Sequence, residues 1–132
     1  MARVAWTDEV VMSEDGTKLQ MAGDTETATI ANGAAVSGAI DFRGRYFLTL
    51  HLPAAWTAAT ISLKAASAQG GTYLPVYDKD GSRFELTHVA SVAHRIDPQV
   101  VAGLRWIKIW SQDGAGSDTN QGGDRAFGVD VF

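Results

Sequence analysis

The sequence predicts an all-β domain: an antiparallel β-sandwich, jelly-roll-like, with an extended N-terminal arm. Three observations predict it. From residue 27 onward, apolar and polar side chains alternate in short runs, the period-two signal of strands with one buried face. Turn signals rich in Gly, Pro, Asn and Asp separate those runs at near-regular spacing. Helical periodicity is almost absent, and no internal repeat supports a solenoid or a propeller.

A chain of 132 residues fits one domain with one hydrophobic core, and at this size roughly two-thirds of the unfolded surface is buried. Residues 1–25 form the predicted arm or hairpin: Glu9, Glu14, Asp15 and Asp24 surround Trp6, Val10, Val11, Met12, Leu19 and Met21, with a turn at Glu14-Asp15-Gly16. Such a segment is either a strand of the domain or an arm that orders on a neighbouring subunit.

Residues 26–132 form the predicted sandwich. Thr27 to Ala31 is a strand, Asn32-Gly33 a turn, and Ala35 to Phe42 a second extended piece. In Tyr46 to Leu52 the residues Tyr46, Leu48, Leu50 and Leu52 share one face and Phe47, Thr49 and His51 the other; Pro53 stops the strand because it has no N–H to give to a ladder. Thr60 to Ala66 places Ile61, Leu63 and Ala65 inward and Thr60, Ser62 and Lys64 outward, ahead of a polar connection over 67–71. Tyr73 to Tyr77 and Arg83 to His88 flank Asp78-Lys79-Asp80-Gly81, a tight-turn sequence that predicts a hairpin. After a strand over Val92 to Ile96, Asp97 caps one helical turn that has Pro98 at its first position and Gly103 as its stop. Leu104 to Ser111 is a strongly apolar strand, 112–124 a long polar loop, and Arg125 to Phe132 a closing strand with Phe127, Val129 and Val131 on one face.

Composition narrows the function. The formal net charge is -4 and the Arg and Lys residues are scattered singly, so no basic stripe exists to neutralise a phosphate backbone, and nucleic acid is not an expected partner. Without cysteine there are no disulfides, thiolate metal sites or thiol nucleophiles. Asp8 and Glu9 stand where a signal peptide needs apolar residues, and no run reaches membrane-spanning length, so synthesis in a cytoplasm without a membrane anchor is expected.

No motif assembles a catalytic or cofactor site. Asp78-Lys79-Asp80-Gly81 resembles the opening of a calcium loop but lacks the closing glutamate, and Phe84 and Leu86 have already re-entered a strand. His51, His88 and His94 carry no ligand spacing. The glycine-rich stretch over 114–123 lacks the lysine and helix that phosphate binding requires. Asp97 and Glu85 would make a glycosidase pair only across a cleft. The expectation is therefore a protein that is not an enzyme, with no cofactor and no metal.

The most informative stretch is Leu104-Arg105-Trp106-Ile107-Lys108-Ile109-Trp110-Ser111. Alternation puts Ile107 and Ile109 on one face and Trp106, Lys108 and Trp110 on the other. Either this is a central strand covered on both sides, or the two tryptophans flanking Lys108 form a contact surface. An exposed pair would meet another protein subunit or a sugar ring, with Tyr73 and Tyr77 as further stacking residues for a sugar.

Several segments in order carry a resemblance: Thr29-Ile30-Ala31-Asn32-Gly33-Ala34, Gly38-Ala39-Ile40-Asp41, Leu52-Pro53-Ala54-Ala55-Trp56-Thr57-Ala58-Ala59, Tyr77-Asp78-Lys79-Asp80-Gly81, Ile96-Asp97-Pro98, Ala102-Gly103-Leu104-Arg105-Trp106-Ile107-Lys108 and Asn120-Gln121-Gly122-Gly123-Asp124-Arg125. Together they resemble a family of small proteins of tailed phages and prophages, found among virion structural genes. The strongest match is Pro53 to Ala59, where Trp56 is placed to plug the end of the sandwich. The resemblance covers about residues 27–132; residues 1–25 fall outside it, and Trp110 departs from it where a polar or basic residue is expected.

The resemblance implies a β-sandwich used as a capsid decoration (cement) protein, head fibre or similar accessory part. It brings no catalytic or ligand residues. The expectation is a virion structural protein that binds the major capsid protein or another virion protein as a homo-oligomer or symmetric array, through Trp6, Val10, Val11, Leu19 and Met21 of the arm and Trp106, Lys108 and Trp110 of the apolar strand. The alternative is a carbohydrate-binding module or tail component that attaches to a host glycan.

Overall fold

A computed structural model describes Val10–Met12, Leu19–Met21 and residues 23–132. The described elements run β1 (Val10–Met12), β2 (Leu19–Met21), β3 (Asp24–Ile30), β4 (Ile40–Asp41), β5 (Leu48–His51), β6 (Thr60–Ala66), β7 (Leu74–Pro75), β8 (Leu86–Thr87), β9 (Ala93–Ile96), α1 (Pro98–Val101), β10 (Trp106–Gln112) and β11 (Arg125–Val131). β1 and β2 pair antiparallel, with Val11 opposite Gln20. The others form two antiparallel sheets packed face to face, the sandwich that alternation predicts. One sheet is ordered β3-β11-β5-β9 and the other β4-β10-β6, with β7 and β8 both on the far edge of β6.

Between the sheets lie Ala28, Ile30, Leu48, Leu50, Ile96, Phe127, Val129 and Val131 from one layer and Ile40, Ile61, Leu63, Leu86, Ile107 and Ile109 from the other. Each large side chain so buried contributes about 1.5–3 kcal/mol. Val101 on α1 joins the same core. The helical turn forms as its residues dictate: the Asp97 carboxylate accepts from Gln99 N–H, Pro98 opens the turn, and Gly103 leaves it at φ +93°.

Elsewhere tertiary structure changes the local reading. The turn at Asp78–Gly81 is present, with Asp78 N–H donating to Ser82 O and Asp78 Oδ1 accepting from the backbone N–H of Asp80 and Ser82. Its flanks do not form a free-standing hairpin. β7 and β8 are both antiparallel to β6, so they run in one direction along its edge, and the Tyr77–Arg83 bridge closes a small excursion between them. β6 offers seven residues of unpaired edge, which outweighs what two short legs gain from each other.

Tyr46, expected inward with Leu48 and Leu50, is 54% exposed. Pairing of β5 with β11 ends at Leu48–Val131, and beyond it Phe132 O accepts from both Tyr46 and Phe47 N–H, leaving Tyr46 past the end of the core. β3 begins at Asp24, so the sandwich takes in two residues that the sequence assigns to the arm. Ahead of β4, Ser37 marks a bulge: its hydroxyl accepts from Ile109 N–H at 2.9 Å, replacing the ladder carbonyl that the shifted register removes.

Candidate interaction surfaces

β10 lies between β4 and β6, and the strands around it decide what its outward side chains meet. Its inward residues are Ile107 and Ile109, both fully buried, so Trp106, Lys108 and Trp110 face outward as the alternation requires. The outer face divides into two halves.

One half is roofed. Trp110 is only 2% exposed, and Ser62 opposite it and Gln112 two residues on are fully buried, because the chain after β10 folds back over them. Gln112 holds that roof: its Oε1 accepts from Gly114 and Gly116 N–H, while its Nε2 donates to Ser62 Oγ and Glu85 Oε2. Gly114 and Gly116 take φ of +88° and +92°, conformations that favour glycine. The Trp110 indole N–H donates to Asp118 Oδ1 at 2.7 Å. Trp110, a sequence candidate for partner contact, therefore offers no exposed surface, and Ser62, read as outward and polar, is satisfied beneath the roof. The Asp113 carboxyl is held below its usual range by hydrogen bonds from Ala115 and Ser117 N–H.

The other half is open. Trp106 and Lys108 are half-buried, and each aromatic ring of the face carries a cation: Arg43 lies 4.8 Å from the Trp106 ring centre, Lys64 4.4 Å from Trp110 and Lys108 4.3 Å from Tyr73. Lys64 and Lys108 are direct cross-strand partners. Arg43 also grips Asp41 with two hydrogen bonds, Nε to Oδ1 and Nη2 to Oδ2, which holds the Asp41 carboxyl below the usual carboxylate range. Glu26, at the same end of the sandwich, is pushed up by burial and by the charges of Asp24 and Asp41.

The opposite sheet presents a different surface. Thr25, Thr27 and Thr29 line β3, and Asp130 at the centre accepts from Thr25 Oγ1 and pairs with His51 Nε2 at 2.8 Å. A groove of about 590 Å³ runs beside β9, between Phe47 and Thr49 on one side and Arg95, Asp97 and Pro98 on the other.

At one end of the sandwich Trp56 forms the plug that the sequence suggests, edge-on to Phe127 and stacked on His88, with its indole N–H donating to Ala59 O. Gln121, 1% exposed, ties this end together by donating to Thr57 O and Ser111 Oγ and accepting from Thr57 N–H and Arg125 Nε. Neither glutamine stands out in the sequence, since an amide in a polar stretch looks like any other loop residue.

Asp97 and Glu85 sit in separate hydrogen-bond sets, one capping α1 and the other taking Gln112 Nε2 and Arg83. Among the described residues no three or more His, Asp or Glu side chains converge as a metal site. His51 and His88 are occupied by Asp130 and Pro53 O, and His94 stands on the exposed edge strand β9. Of the arm candidates, Trp6 lies outside the described residues, and Val10, Val11, Leu19 and Met21 are placed by the β1–β2 pairing alone.

No family model matches the chain, and no curated protein matches it in sequence. A solved structure does share the fold: the SPBc2 prophage-derived protein YomS superimposes with a TM-score of 0.51 at 15% identity, over 85% of this chain and 96% of that one. The likeness extends over nearly the whole of YomS.

Proposed function

We propose that this chain is a non-enzymatic structural protein of a bacteriophage particle, and more specifically a decoration (cement) protein that binds and stabilises the head shell. The observation that carries the reading is the shared sandwich with a prophage-derived protein over 85% of the chain. The motif series from Thr29 to Arg125, which resembles virion structural proteins, supports it. In this role the work is mechanical: the sandwich supplies a rigid body, and many copies on a symmetric particle turn a modest contact into firm attachment. The contacts are the arm with Val10, Val11, Leu19 and Met21, and the open half of the β10 face with Trp106 and Lys108.

The test has two stages. Particles from the phage or prophage that carries the gene are banded on a gradient and their proteins identified; this chain is expected in the particle band in many copies. Shells lacking it are then mixed with the purified full chain or with a chain lacking residues 1–22, and co-sedimentation is measured. Binding by the full chain that weakens on truncation fits decoration with the arm as anchor. Absence from particles overturns the virion reading, and association with tails but not shells overturns the decoration role.

A further inference from the structure

We infer that the open half of the β10 face is a docking surface for an acidic protein segment, with Lys64 and Lys108 as its charged centre. The inference deepens the proposed attachment role by giving the chemistry of one contact surface.

Lys64 on β6 and Lys108 on β10 stand directly opposite each other on one face, an arrangement of like charges that destabilises a sheet. Among the described residues neither lysine has an ion-pair partner. The two ammonium groups instead part in opposite directions: Lys64 turns toward β10 and lies over Trp110, while Lys108 crosses toward Tyr73, just ahead of β7. The rings relieve the repulsion without neutralising either charge.

The nearby carboxylates are already committed. Asp41 is held by Arg43, Asp118 accepts from the Trp110 indole, and Glu85 accepts from Gln112 and Arg83. A chain of net charge -4 thus keeps two unneutralised cations side by side on a floor of half-buried Trp106 and Tyr73 and exposed Pro75. Charge complementarity selects the occupant. Glutamate or aspartate side chains reach both ammonium groups, and their methylenes cover the aromatic floor. A neutral sugar fits less well, because a cation already occupies a face of each ring it would stack on.

The probe is poly-L-glutamate, titrated into the full chain at low salt while the indole N–H signals of Trp106 and Trp110 are followed by NMR. Binding is expected to shift the Trp110 signal as Lys64 leaves its ring, and to fade as salt rises. The double substitution Lys64→Gln with Lys108→Gln is expected to weaken binding by about tenfold, while Lys64→Arg with Lys108→Arg restores it and Lys79→Gln, at a lysine already paired with Asp80, leaves it unchanged. Thermal melts of each variant confirm that the sandwich is intact. No binding at low salt, binding indifferent to the Gln pair, or tighter binding of polygalacturonate than of polyglutamate would each overturn the inference. The titration needs no particle, so its failure is separate from a failure of the virion reading.

Discussion

The two outer faces of the sandwich are built on opposite principles. The β10 face carries large side chains in layers: Trp106, Trp110 and Tyr73, cations over their rings, and a folded loop over half of it. The β11 face is mostly short along β3 and β11, with threonines on β3, glycine at 128 and the Asp130 carboxylate bridging Thr25 and His51, and it carries the larger Phe47 and Arg95 only beside β9. A protein surface gains binding energy from buried aromatic and cationic area rather than from well-solvated hydroxyls. The first face concentrates rings and cations, and the second is mainly hydroxyls and backbone.

The largest test of that contrast is Trp110→Ala. It removes a buried indole, strips Asp118 of its donor and uncovers Lys64, so a loss of about 3 kcal/mol in denaturant unfolding is expected. Trp110→Phe keeps most of the ring and should lose about 1 kcal/mol for the hydrogen bond. Thr27→Ala on the other face should change stability by under about 0.5 kcal/mol. Comparable losses at Trp110 and Thr27 would mean that the two faces do not differ as described.

How far such differences are legible in sequence depends on distance along the chain. Alternation alone gives Ile107 and Ile109 as core and Trp106, Lys108 and Trp110 as the outward row, and Asp97, Pro98 and Gly103 give the turn at α1. These features depend on residues a few positions apart. What alternation does not give is what lies on top of a face. Trp110 is buried and Trp106 half-open only because Gln112 folds the next segment back over one end of the strand. The Lys64–Lys108 opposition depends on a register between strands more than forty positions apart. The turn at Asp78–Gly81 was readable from its own residues, but the choice of β6 as partner for both its flanks was not.

A second, smaller effect probes the hydroxyl-rich face. Gly128 sits opposite His51, and a Cβ placed there would lie 3.1 Å from His51 Cβ and 3.4 Å from its ring. The nearest atom is the His51 Cβ, which rotation of the side chain does not move. Gly128→Ala should therefore destabilise by about 1 kcal/mol, although alanine in an open strand position is worth a gain of similar size over glycine. In a His51→Gly background, which removes the Cβ as well as the ring, the clash disappears and the same substitution should stabilise. A double-mutant cycle reads the reversal directly, and additive effects would show that crowding by His51 is not what keeps the site free of a side chain.

The smallest effect lies at the edge of the aromatic face, in Asp41. Hydrogen bonds from Arg43 hold this carboxyl below its ordinary value of 3.8. The folded state therefore binds its proton more weakly than the unfolded chain does, and the resulting stabilisation is fully present above the unfolded pKa. It is lost as pH falls through the folded one. Because Arg43 and Asp41 are 57% and 43% exposed, solvent screens the pair and its contribution is small. Asp41→Asn should cost that small contribution at neutral pH and nothing once the wild-type carboxyl is protonated, so the two unfolding curves should converge on acidification. Since Arg43 also lies over Trp106, an Asp41→Asn variant that moves the Trp106 indole signal at neutral pH would show that the pair positions the cation on the ring; an unmoved signal would assign the placement of Arg43 to the ring alone.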